Sequence, residues 1–130
     1  MNNPFANVVL SPEAKRLANA IYNTYIQEKY PYIDIPVKRL YQMFCTDSFT
    51  HSKSEFEHLL EIFEELNEPV ALINFKYGSK TYDWKMIQFC EFESDWKPGD
   101  EYVEIQLNEM YIAAMKEYMD EPFLPLGSKD

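Results

Sequence analysis

Apolar residues recur along the chain first at helical spacing, then at strand spacing, and finally at helical spacing again. The first set is Ala14, Leu17, Ala18, Ile21 and Tyr25, widened by Tyr22 and Ile26, which puts one stripe on one face of a helix. Ser11-Pro12-Glu13 provides its N-cap, a proline at the first helical position and an acid in the first turn, and Pro31 stops it near Tyr30. Ile33 to Val37 alternates as IDIPV, and Pro36 confines that piece to an edge strand or to the start of the next helix. Val37, Leu40, Tyr41 and Phe44 predict a helix of about three turns, too short to persist without packing. After a polar turn from Cys45 to Ser52, Ser52-Lys53-Ser54-Glu55 has the form of a capping box. Phe56, Leu59, Leu60, Phe63 and Leu66 give the helix that follows its apolar face.

Beyond Glu68-Pro69 the period changes to that of strands. Val70 to Tyr77 and Tyr82 to Phe92 are rich in β-branched and aromatic residues, and Gly78-Ser79-Lys80-Thr81 reads as the turn of a hairpin between them. Both are apolar on more than one face, so the hairpin is expected to be packed on both sides for part of its length. Ser94 to Asp100 is a loop with Pro-Gly chemistry. Val103, Ile105 and Leu107 alternate with Glu104 and Gln106, a third strand with one wet face. Asn108 and Glu109 open a last helix with Tyr111, Ala114, Met115 and Tyr118 inward, and Pro122 to Asp130 reads as a loose tail. The sum is an α+β fold: a helix-turn-helix over Asp34 to Leu66, a hairpin wing within a three-stranded antiparallel sheet, and an extra strand and C-terminal helix, a winged helix by element order. The length suits one domain over residues 1–121, with 122–130 as the tail.

An apolar fraction of 46% with 16% aromatics excludes a disordered chain, and the apolar runs are too short to cross a bilayer. The opening MNNPFANVVLSP has neither a basic n-region nor an apolar core of signal-peptide length. A cytoplasmic protein with no membrane partner is therefore expected, with Cys45 and Cys90 reduced. Its charge of −10 is uneven. Residues 1–50 hold five basic and four acidic side chains, whereas residues 51–130 hold seven basic and eighteen acidic. The second half thus repels polyanions, which argues against a dedicated nucleic-acid binder.

Candidate chemistry is sparse. His51, Glu55 and His58, with Cys45 upstream, have a metal-site composition but a loose spacing, so surface and capping roles are expected and no metal is assigned. No nucleophile context and no phosphate-cradling Gly-rich loop is present, so no catalytic residue, cofactor or small-molecule substrate is expected. Trp84 and Trp96, with the tyrosines and phenylalanines, could form a base-stacking platform, but most of these aromatics fall at helix- or strand-periodic positions, so core packing is the expectation. Lys76, Lys80 and Lys85, with Tyr77 and Tyr82, make a basic hairpin, and Lys38-Arg39 a basic pair, the candidates for DNA-backbone contact. Edge-strand lysines that block sheet-to-sheet aggregation are the plainer reading of the hairpin.

Over residues 10–118 the element order and apolar pattern resemble the first winged-helix domain of the Rep-type plasmid replication initiators. The stretches that carry the resemblance are LSPEAKRLANAIY, IDIPVKRLYQMF, FEHLLEIFEEL, WKMIQF and VEIQLNEMY. It implies a domain that mediates dimerisation and adds backbone contacts, while a second winged helix reads the sequence. This chain is expected to depart from the pattern in two ways: no second domain is expected after it, and its would-be recognition helix carries Glu55, Glu57, Glu61, Glu64 and Glu65 against Lys53. Two functions are thereby expected in competition. One is an interaction or regulatory module that forms a homodimer or docks on a protein partner, with Val103 to Leu107 and the wing as contact edges and nucleic acid bound weakly at most. The other is an acidic DNA mimic whose partner-binding face joins those glutamates to Glu91, Glu93, Asp95 and Glu104.

Overall fold

The computed structural model describes residues 4–5, 8, 10–45, 49–50, 52–95 and 102–118. The described chain is α+β: α1 (Pro12–Glu28), β1 (Tyr32–Pro36), α2 (Val37–Phe44), α3 (Lys53–Leu66), β2 (Val70–Tyr77), β3 (Lys80–Ile87), β4 (Cys90–Asp95), β5 (Tyr102–Leu107) and α4 (Glu109–Tyr118). His51, Trp96, Lys97 and the expected tail 122–130 lie outside the described residues, and of Asp95 only the strand position is described.

Local chemistry places the helices where the pattern puts them. The Ser11 side chain accepts from the Ala14 N–H at the start of α1. At α3 the capping box is complete: Ser52 Oγ accepts from the Glu55 N–H, and the Glu55 carboxylate accepts from the Ser52 N–H. Asn108 Oδ1 accepts from the N–H groups of Met110 and Tyr111 to open α4. Each cap satisfies amides that a first helical turn leaves without partners. Val37, Leu40, Tyr41 and Phe44 are all buried, although α2 has eight residues, nearer two turns than three. On α3 the buried set is Leu59, Ile62, Phe63 and Leu66, so Ile62 replaces Leu60 in the centre of the face.

The sheets differ from the expected arrangement. Tyr82 to Phe92 is two strands. β3 stays with β2 in a two-stranded hairpin, whereas β4 pairs with β5 and β1 completes a second sheet in the order β1-β5-β4, all antiparallel. The three-stranded sheet therefore excludes the hairpin, and β5 is its central strand rather than a free edge. Gln88 and Phe89 make the break. Phe89 is fully buried, its carbonyl accepts from the Asn108 N–H at 3.0 Å, and the next amide, of Cys90, donates to Asn67 Oδ1 at 3.0 Å. Gln88 Nε2 also donates to the Asn67 carbonyl at 2.9 Å. Those bonds draw the chain out of the hairpin ladder and hold it against the C-terminus of α3 and the N-terminus of α4.

The core lies between the helices and the inner face of the three-stranded sheet. Phe63 of α3 stacks on Phe92 of β4 with ring centroids 4.3 Å apart, and Val103, Ile105 and Leu107 of β5 are buried beside it. Tyr111 of α4 meets Phe5 and Phe89 edge-on at 5.3 and 5.6 Å, the arrangement that aromatic quadrupoles favour. The hairpin is packed on one side only. Its buried positions are Ile87 on β3, opposite Val70, and Val70, Leu72 and then Phe75 on β2, so the inward alternation along β2 skips a residue at Asn74, which holds a positive φ of 53°. Gly78 in the two-residue turn has φ 64° with open space around it, a left-handed conformation that glycine adopts without strain.

Candidate interaction surfaces

The acidic residues of α3 divide into two kinds. Glu55 is taken up by the cap: its Oε1 accepts from the N–H groups of Thr50 and Ser52 and from both hydroxyls. Partial burial pushes the Glu55 carboxyl up, but the hydrogen bonds from Ser52 and Thr50 outweigh it and leave it below the usual range. Glu65 likewise accepts from the Ser11 N–H and hydroxyl, tying α3 to the start of α1. Glu57, Glu61 and Glu64 remain exposed and lie opposite Leu59, Phe63 and Leu66, so the outward acidic row is three residues, not five.

The three-stranded sheet carries a second acidic row. Asp34, Glu104 and Glu93 are direct cross-strand neighbours over β1, β5 and β4, and all three are exposed. Glu91 is exposed next to them, opposite Gln106. Like charges directly opposite one another destabilise a sheet. Tyr32 offsets part of this by donating to Glu104 Oε1 at 2.6 Å; that bond, before any burial, pushes its phenol up to about 12. Phe63 reaches Phe92 on the inner face of this sheet, whereas Glu91, Glu93 and Glu104 occupy its outer face. The α3 row and the sheet row thus point to opposite sides and do not form one continuous acidic face.

The basic candidates are also dispersed. Lys38 and Arg39 are exposed on α2, and Lys76 and Lys80 are exposed on the hairpin. Lys85 is half-buried, and its Nζ and that of Lys80 lie 5.0 and 4.7 Å from the Tyr82 ring centroid, a cation–π contact that holds both ammonium groups on one ring. His58 spans two helices, with Nε2 3.0 Å from Glu13 Oε1 and Nδ1 3.7 Å from Glu61 Oε1. Its neighbour in the candidate metal set, Glu55, is committed to the cap. Among the described residues no group of three or more His, Cys, Asp or Glu is placed to hold a metal ion. Cys45 is half-buried and Cys90 buried, and they are not bridged. Burial pushes the Cys90 thiol up to about 12 despite the hydrogen bond with Asn67, so it is protonated and not poised as a nucleophile.

Two features escape the sequence pattern. A groove of about 400 Å³ runs along α1, lined by Arg16, Asn19, Asn23, Thr24 and Gln27 with Met43 of α2. It has no carboxylate, and Arg16 Nε donates to the Phe44 carbonyl at 2.9 Å at one end. The spacing 16, 19, 23 and 27 is a helical one, so the signal was a polar stripe rather than an apolar one. The second feature is the outer face of the hairpin. Ile73 and Trp84 are cross-strand partners, Ala71 and Met86 the next pair but one, and Ile73, Trp84 and Met86 are 55%, 61% and 53% exposed. Trp84, expected in the core, is on the surface. Among the described residues no helix is long and apolar enough to cross a membrane. In comparisons with known proteins the chain matches no family model, no curated protein and no solved structure.

Proposed function

We propose that this protein is a non-enzymatic interaction or regulatory module on a winged-helix scaffold, acting through protein contacts and touching DNA weakly if at all. The scaffold reading rests on the order helix, strand, helix, helix, strand, strand, with β1 paired beside β5 in the sheet β1-β5-β4. On this reading β4 and β5 take the place of the wing, their connection 96–101 lies outside the described residues, and β2–β3 is an inserted hairpin. The hairpin lysines then sit on the insertion rather than on a wing. The resemblance to the dimerisation domain of Rep-type initiators points the same way.

One observation carries the functional part: Glu57, Glu61 and Glu64 face outward along α3, the helix that would lie in a groove of DNA. Three carboxylates between phosphate walls repel rather than bind. The acidic-mimic reading is less well supported, because the two carboxylate rows lie on opposite sides. The test has two arms. Sedimentation and affinity capture are expected to find self-association or a defined protein partner, and a strict monomer that captures nothing contradicts the proposal. Should the hairpin lysines and the Lys38-Arg39 pair nonetheless engage DNA, a low-salt gel shift should be weak and abolished by changing Lys76, Lys80 and Lys85 together to Glu, and binding that survives the change removes the hairpin from the contact. Sequence-specific binding that maps to α3 contradicts it as well.

A further inference from the structure

We infer that the partner of the hairpin is a second copy of this chain, joined edge to edge through β3 with Trp84 on the two-fold axis. This rests on the protein-contact reading above and names its partner. The open edges of the molecule differ in what they offer. β1 ends in Pro36, which has no N–H to donate, and carries Asp34. β4 presents Glu91 and Glu93, which an antiparallel copy would set against each other. β2 is interrupted by the left-handed Asn74. Among the described residues β3 pairs with β2 alone; it has neither proline nor positive φ and carries the exposed Trp84 at its middle.

The charges around Trp84 select the register. Asp83 and Lys85 flank it, one acidic and one basic; among the described residues neither is in an ion pair within the chain, and Lys85, half-buried, rests its ammonium 5.0 Å from the Tyr82 ring centroid, from which it would turn to the second copy's Asp83. Two β3 strands running antiparallel about an axis through Trp84 place Trp84 against its copy. Asp83 then lies across from the second copy's Lys85, and by symmetry Lys85 lies across from the second copy's Asp83. A patch that complements itself in this way is what an isologous two-fold contact requires. Cross-strand aromatic and opposite-charge pairs are the stabilising units of such a sheet. The four-stranded sheet so formed brings two copies of the Ile73, Trp84 and Met86 surface side by side, which lowers the exposure of the largest side chain on it.

The register makes a prediction that a generic sticky patch does not. Sedimentation equilibrium on the full chain should show a dimer for the wild type. Asp83→Lys alone and Lys85→Asp alone should each weaken it at least about tenfold, because each sets two like-charge pairs face to face. The double variant Asp83→Lys/Lys85→Asp should restore it, and an equimolar mixture of the two single variants should form the heterodimer that neither forms alone. Trp84→Ser should weaken association in every background, with circular dichroism confirming an unchanged fold. A wild type that stays monomeric overturns the inference while leaving a different protein partner open to capture. A dimer indifferent to both single variants overturns the register and places the contact elsewhere, with the broader reading intact.

Discussion

The two sheets of this protein solve the same problem in opposite ways. The sheet β1-β5-β4 alternates cleanly, with Val103, Ile105 and Leu107 buried and Tyr102, Glu104 and Gln106 exposed along β5, and its outer face is lined with carboxylates. The β2–β3 hairpin buries Val70, Leu72 and Phe75 but leaves Ile73, Trp84 and Met86 outside. A charged face and a proline-ended edge discourage association, whereas an apolar face beside an open strand invites it. On the proposed reading the first sheet protects the fold and the second makes the contact. The like-charged row Asp34, Glu104 and Glu93 is a stability cost, and on that reading it is offset by keeping the larger sheet from pairing with copies of itself.

Mutations separate the two regions by size of effect. Ile105→Ala removes a fully buried side chain from the central strand and should cost about 2–5 kcal/mol in denaturant unfolding. A loss well under that range would mean that the three-stranded sheet is not the centre of the core. Ser52→Ala removes the N-cap of α3, the helix that braces β4 through Phe63, and should cost about 0.5–2 kcal/mol. The same cap has a pH signature. Because the Glu55 carboxyl is held below its ordinary range, its contribution is present above the unfolded-state pKa and is lost as pH falls through the lower folded-state value. Glu55→Gln should flatten that part of the acid limb in urea melts taken at successive pH values, and an unchanged limb would remove the cap from the account. Glu93→Lys converts a direct carboxylate pair with Glu104 into an opposite-charge pair and should stabilise the fold by about 0.2–1 kcal/mol. The gain should shrink in high salt, and a loss would contradict the strand register. Trp84→Ser should be the mildest, within about 0.5 kcal/mol for the chain at low concentration, although its effect on association should be large.

The helices were legible because each has a local signal: Ser11 and Ser52 as caps, and apolar residues spaced for one face. The pairing of the strands was not, because it depends on contacts far apart in sequence. Nothing in the run Tyr82 to Phe92 marks Gln88 and Phe89 as a crossing point. The break is made by Asn67 and Asn108, which lie about twenty residues away on either side and bind the amide of Cys90 and the carbonyl of Phe89. The alternation around Trp84 is that of a packed strand, yet periodicity reports that two faces differ without saying which one is covered, and Trp84 lies on the uncovered one. The acidic residues of α3 look alike in sequence for a similar reason. Composition cannot distinguish Glu55 and Glu65, spent on helix starts, from Glu57, Glu61 and Glu64, which face outward.

The most direct test of the division between the two sheets is amide hydrogen exchange measured at low and high protein concentration. Protection along β3, from Thr81 to Ile87, should rise with concentration, while β1 and β4 exchange at rates that do not depend on it. Protection that rises instead on β1 or β4, or exchange on β3 that is the same at both concentrations, would contradict the assignment of the hairpin as the contact surface.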